Sequence, residues 1–123
     1  MNGSARLHRW DEIALEKVTE MISRKLVTGD RGMLAQIYLK KGAIVPMHQH
    51  ESEQLAYVLQ GVMRFTVGGE ELTVREGEVL AIPSNVPHQA EAIEDTFELD
   101  LFSPIRQDWL DRTDDDFQRP PSP

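Results

Sequence analysis

The sequence predicts an all-β protein, many short strands closed into a barrel or sandwich. Three observations predict it. Between Met33 and Leu101 the apolar residues fall into short runs separated by Gly and Pro. Within several runs they alternate with polar residues, the two-residue period of a strand with one wet face. Gly68-Gly69 sits between two such alternations and supplies adjacent residues that accept positive φ, as a tight hairpin requires. The 123 residues suit one domain, large enough to bury a core without staples.

The elements follow in order. Residues 10–27 fit either a helix carrying Ile13, Leu15, Val18 and Ile22 or a pair of strands. The strand reading is preferred, because residues 21–28 lead into the turn signal Gly29-Asp30-Arg31-Gly32. A strand from Met33 to Leu39 stops at Lys40-Lys41-Gly42, and Leu55 to Leu59 reads as a run buried on both faces. Met63, Phe65 and Val67 alternate with Arg64 and Thr66, and Leu72 and Val74 return beyond the glycine pair. Val79 to Ile82 forms a short strand, and in the last one Phe97, Leu99 and Leu101 alternate with Glu98, Asp100 and Phe102. Residues 107–111 suit one helical turn, and 114–123 read as an acidic, proline-rich tail, solvated or disordered. The domain plan is an N-terminal pair of strands or arm over 1–28, a barrel core over 29–106 and a tail over 107–123.

Composition narrows the function classes. Thirteen basic and 21 acidic residues give a net charge of −8, which argues against nucleic acid and anionic membrane as partners. The absence of cysteine excludes disulfides, thiolate metal sites and a Cys nucleophile, so any metal is held by nitrogen and oxygen. No apolar stretch approaches the roughly 20 residues of a membrane span and no signal peptide opens the chain, so a cytoplasmic protein is expected.

Three of the four histidines carry the chemistry. His48 and His50 are two apart, so on a strand both rings project from one face, and Gln54 has the same parity. His88 follows Pro83 and Pro87. Three imidazoles and an amide oxygen suit a divalent first-row metal, whereas an isolated His-x-His is more often a surface pair. Glu51 and Glu53 have the opposite parity and should face away; a bulge there would bring one of them in as a ligand.

Spacing decides between these readings. Gly42, five residues, His48-x-His50, three residues, Gln54, six residues, Gly61 resembles the first conserved motif of the cupin superfamily. Gly77, five residues, Pro83-x-Asn85, two residues, His88, three residues, Ala92 resembles the second. The resemblance implies a double-stranded β-helix, the jelly-roll barrel, with His48, His50, Gln54 and His88 around one divalent transition metal: nickel, zinc, manganese, iron, cobalt or copper. Small cupins usually pair through their sheets, so it also implies a homodimer. Three positions depart from the family pattern. Gln54 stands where Glu is usual, Asn85 replaces a Gly yet can still take positive φ, and Ala92 replaces an Asn. With neutral ligands only, the metal would keep its full charge, which favours Lewis-acid work and an anionic ligand.

The final strand sharpens the resemblance. Either Phe97, Leu99 and Leu101 fill the core and Asp100 is wet, or Asp100 and Phe102 face a barrel interior that is apolar at depth and polar near a metal. Asp100-x-Phe102, three residues, Arg106, together with Gln54, resembles the KdgF-type cupins of pectin and alginate breakdown. Those proteins convert 4,5-unsaturated monouronates to linear keto sugars. This implies Asp100, Phe102 and Arg106 as active-site residues and a small anionic substrate. A metal-dependent dioxygenase and a non-catalytic small-molecule-binding cupin are the alternatives.

Overall fold

The computed structural model describes residues 3–114 and 117, and the following concerns these residues. A single 3-10 turn (Trp10–Glu12) precedes β1 (Glu16–Lys17), β2 (Ile22–Thr28), β3 (Met33–Leu39), β4 (Ile44–His48) and β5 (Glu53–Gln60). β6 (Val62–Val67), β7 (Glu70–Arg75), β8 (Val79–Ile82), β9 (His88–Ala92), β10 (Thr96–Ser103) and α1 (Gln107–Asp111) complete the order. The strands form a six-stranded sheet, β1-β2-β3-β10-β5-β8, and a four-stranded sheet, β4-β9-β6-β7, all antiparallel. Side chains from both sheets share one apolar core, the architecture of a jelly roll.

The N-terminal ambiguity resolves toward strands. β2 and β3 pair from Ile22↔Leu39 to Thr28↔Met33, closed by the Gly29 N–H donating to the Gly32 carbonyl at 2.8 Å. The glycine pair behaves as its chemistry predicts: Gly68 and Gly69 have φ of 55° and 86°, and Val67 pairs Glu70 across a two-residue loop. Asn85 adopts φ 61°, so the second motif keeps its turn without a glycine.

Two sequence expectations need correction. The Leu55–Leu59 run is not buried on both faces: Ala56 and Val58 face the core, while Tyr57 points outward and is 37% exposed. Antiparallel sheets need only one dry face, and here the outer face keeps its apolar residues half-exposed. At Asp114 and Phe117, the tail residues that are described, the chain is not solvated. Arg24, 1% exposed on the inner face of β2, donates from Nη2 to Asp114 Oδ1 and from Nε to Glu16 Oε1, each at 3.1 Å. A guanidinium with so little water needs carboxylate partners, and this one draws Asp114 in. Phe117 is also buried, 5.5 Å from the Trp109 ring. The rest of the tail, 115–116 and 118–123, lies outside the described residues.

Gly61, at the β5–β6 corner, has φ 100°, and a Cβ there would run into the Asp95 carbonyl and Thr96. Gly61→Ala combines a left-handed backbone with a steric clash against main chain. It should lower unfolding stability by about 2 kcal/mol or more, read as a shifted urea midpoint at unchanged slope.

Candidate metal centre and active site

The inward parity of β10 decides what the barrel interior contains. Thr96, Glu98, Asp100 and Phe102 face inward and are buried, while Phe97, Leu99 and Leu101 take the outer face. Asp100, 2% exposed, therefore lies inside, and the wet-carboxylate alternative fails. Phe102 pairs with Gln54 across β10–β5, so the register sets the ring beside that amide.

The three histidines converge from separate points of the chain. His48 closes β4 and His88 opens β9, and the two are cross-strand partners. His50 follows in the loop before β5. Ring centroids are 4.4 Å apart for His48 and His88, 4.8 Å for His50 and His88, and 5.4 Å for His48 and His50. One ring nitrogen from each lies within 4.8 Å of the others. Each Nδ1 lies 2.8 Å from a backbone carbonyl, those of Pro46, Ser52 and Val86 respectively. A carbonyl only accepts, so each Nδ1 carries the proton and a neutral ring presents Nε2 as a bare lone pair. Glu51 and Glu53 are exposed, away from the cluster.

Gln54 joins this group. Its Oε1 lies 3.2 Å from His50 Nε2. With the His50 proton committed to Ser52, two lone-pair atoms face each other, an arrangement that a shared cation relieves. The donor set is three imidazoles and one amide oxygen, and it suits a divalent first-row metal.

Behind Gln54 sits a feature the sequence reading missed: Glu98 hydrogen-bonds Asp100 inside the core, and Asp100 in turn bonds Gln54. The only signal available in the sequence was parity, because Glu98 shares the inward face with Asp100. Burial pushes the Glu98 carboxyl up to about 7, against a pull downward from its bond with Asp100. Burial pushes Asp100 well above the usual carboxylate range, and the Glu98 charge raises it further. Glu98 Oε1 and Asp100 Oδ1 have no hydrogen-bond partner among the described residues. Two carboxyls this close and dry hold a proton between them.

The pair has a consequence for stability. A carboxyl raised from 4.5 to about 7 by folding stabilises the native state fully below pH 4.5, and that contribution is lost as pH climbs to 7. In metal-free protein, Glu98→Gln should remove about 3 kcal/mol of this decline. Thermal melts from pH 4.5 to 8 should show the wild type losing ground against the variant up to pH 7, then a constant difference. Parallel curves across that range would contradict the assignment.

Arg106, 5% exposed, lies with its guanidinium 5.5 Å over the Phe102 ring and 4.9 Å over Trp109. Its Nε and Nη2 donate to Asp108 Oδ1 and Oδ2 at 3.1 and 2.9 Å, a forked carboxylate pair. His48, Gln54, His88, Asp100, Phe102 and Arg106 line one cavity inside the barrel, together with Trp109 and Phe117, with room of about 30 Å³. A wider cleft of about 240 Å³ opens outside it, bounded by His50, Ser52, Pro104, Arg106 and Asp108.

This jelly roll with its clustered histidines has known relatives. A family model described as Cupin domain matches residues 35–103. The chain belongs to the cupin family. This cupin is 32% identical over 103 residues to the pectin degradation protein KdgF of Dickeya dadantii, a match covering 81% of this chain and 94% of that protein. The solved structure of KdgF from Halomonas sp. superposes with a TM-score of 0.81 at 31% identity, covering 86% of this chain and 99% of the other. Oxalate decarboxylase OxdC of Bacillus subtilis is 31% identical over 81 residues, 62% of this chain but only 21% of that longer protein. Among the described residues no helix is long and apolar enough to cross a membrane.

Proposed function

We propose that this cupin is a metal-dependent enzyme that opens the ring of a small unsaturated sugar acid, a 4,5-unsaturated monouronate, to a linear keto sugar. The observation that carries the reading is the meeting, around one cavity, of His48, His88 and Gln54 from the histidine cluster, a buried carboxyl pair and a guanidinium. The likeness to pectin degradation proteins of similar length supports it.

His48, His50, His88 and the Gln54 oxygen would hold the divalent metal. When bound, the metal would supply a Lewis acid for the substrate's ring or hydroxyl oxygen. Arg106 presents a planar fork suited to the substrate carboxylate. Asp100, held protonated by burial, gives its proton to the double-bond carbon remote from the ring oxygen. Loss of the anomeric hydroxyl proton then opens the ring, leaving an aldehyde and a ketone, so the net change is an isomerisation. Glu98 shares the proton with Asp100, and Phe102 keeps water from the carboxyl. We also infer a homodimer through the outer face of the six-stranded sheet, where Leu34, Tyr38, Tyr57 and Leu101 are 37% or 38% exposed.

The test is the ultraviolet absorbance of an unsaturated uronate. Metal-loaded protein should bleach it far faster than its spontaneous decay, without oxygen uptake. An unchanged decay rate would sink the reading, and oxygen consumption would move it toward a dioxygenase.

A further inference from the structure

The internal cavity holds about one water, whereas pockets for small organic ligands run roughly 300–1,000 Å³. Trp109 of α1 and Phe117 take up space on one side of it. Trp109, 2% exposed, stacks edge-on against Phe102 at 4.9 Å, and Phe117 lies behind it. Both rings line the same cavity as His48, Gln54, His88 and Asp100. This filling is clasped at two points. Arg24 lies 4.3 Å over the Trp109 ring and binds Asp114, and Asp108 occupies the fork of Arg106. The second clasp is the informative one. Asp108 has the bidentate geometry a ligand carboxylate would take, and it is 41% exposed at the open outer cleft while Arg106 is buried.

We propose that residues 107–114 with Phe117 form a plug in the barrel, and that a substrate carboxylate releases it by taking the place of Asp108 on Arg106. The inference rests on the reading of Arg106 as the carboxylate receptor. Asp108 and Trp109 are adjacent at the start of α1, so withdrawing the first withdraws the second, and the space vacated beside Phe102 is where the reacting sugar must sit. Asp108 is thereby a specificity-determining residue. An uncharged sugar makes no fork-matching contact and cannot compete with a carboxylate already in place. A dianionic or bulky acid meets the remaining Asp108 charge at the cleft.

The sequence holds two tryptophans, so in a Trp10→Phe background Trp109 alone reports on the plug. Metal-loaded protein is titrated with D-galacturonate and, separately, with D-galactose. Galacturonate should shift Trp109 emission to the red and raise its quenching by acrylamide several-fold, and galactose should do neither. Asp108→Asn, which removes the competing charge at a half-exposed position, should lower the half-saturating galacturonate concentration about tenfold. Galacturonate binding seen by calorimetry with Trp109 still shielded would overturn the plug and leave the acid-sugar reading standing. An unchanged half-saturation in Asp108→Asn would overturn the displacement. No calorimetric binding of galacturonate to either protein would overturn the Arg106 reading itself, and the trigger with it.

Discussion

Asp100→Asn should lower turnover of an unsaturated uronate by about 100-fold or more while metal content and fold are retained. The substitution is nearly isosteric, and the amide can still accept from Gln54 and donate to Glu98. What disappears is the transferable proton. Burial of a carboxyl in this core raises it well above its usual range, which suits a proton donor, and an amide there has nothing to give. Because the group removed is one that folding strains, the variant should melt no lower than wild type near pH 7. A variant that turns over normally would show that the proton comes from elsewhere. One that loses activity together with its metal would make Asp100 a support for Gln54 instead.

His48→Ala should abolish stoichiometric binding of divalent metal. His48 sits between β4 and β9 with its Nδ1 fixed on Pro46, and its ring is the nearest neighbour of His88. Removing it leaves two imidazoles and an amide, too few for a tight first-row site. The readout is elemental analysis after dialysis, paired with thermal melts. For wild type, metal at a thousandfold over its dissociation constant adds about 4 kcal/mol of stability, and the variant should gain almost none. Metal content equal to wild type would place the ion elsewhere.

Much of this was legible in the sequence, for identifiable reasons. His48-x-His50 and Gln54 share parity, and glycines or prolines punctuate both motifs, so a cluster of three imidazoles beside this amide could be expected before any coordinates. The hairpin at Gly68-Gly69 follows from what those two residues alone permit. The inward face of β10 was ambiguous because Phe97, Leu99 and Leu101 are more apolar than Glu98, Asp100 and Phe102, and period-two patterning normally sends the apolar set inside. A cavity that must hold polar chemistry reverses the rule. Asp114 departs from the solvated expectation, which rests on the rule that a run of aspartates ordinarily faces water. Arg24, with the same parity as Ile22 on β2, was the available clue that a carboxylate had to come to it. Asp108 on Arg106 lies only two residues away in sequence, but nothing short of geometry distinguishes an i, i+2 fork from two solvated charges.

The net charge of −8 repels a small acid at long range, and the proposed site would be the local exception: three neutral imidazoles that could hold a dication, with one buried guanidinium. The most direct measurement is an anomalous diffraction map of the protein crystallised with its metal and soaked with D-galacturonate. The expected result is a single strong peak within bonding distance of His48, His50, His88 and the Gln54 oxygen, with the sugar carboxylate on Arg106 and Asp100 facing the ring. A peak lacking Gln54, or a carboxylate bound away from Arg106, would contradict it.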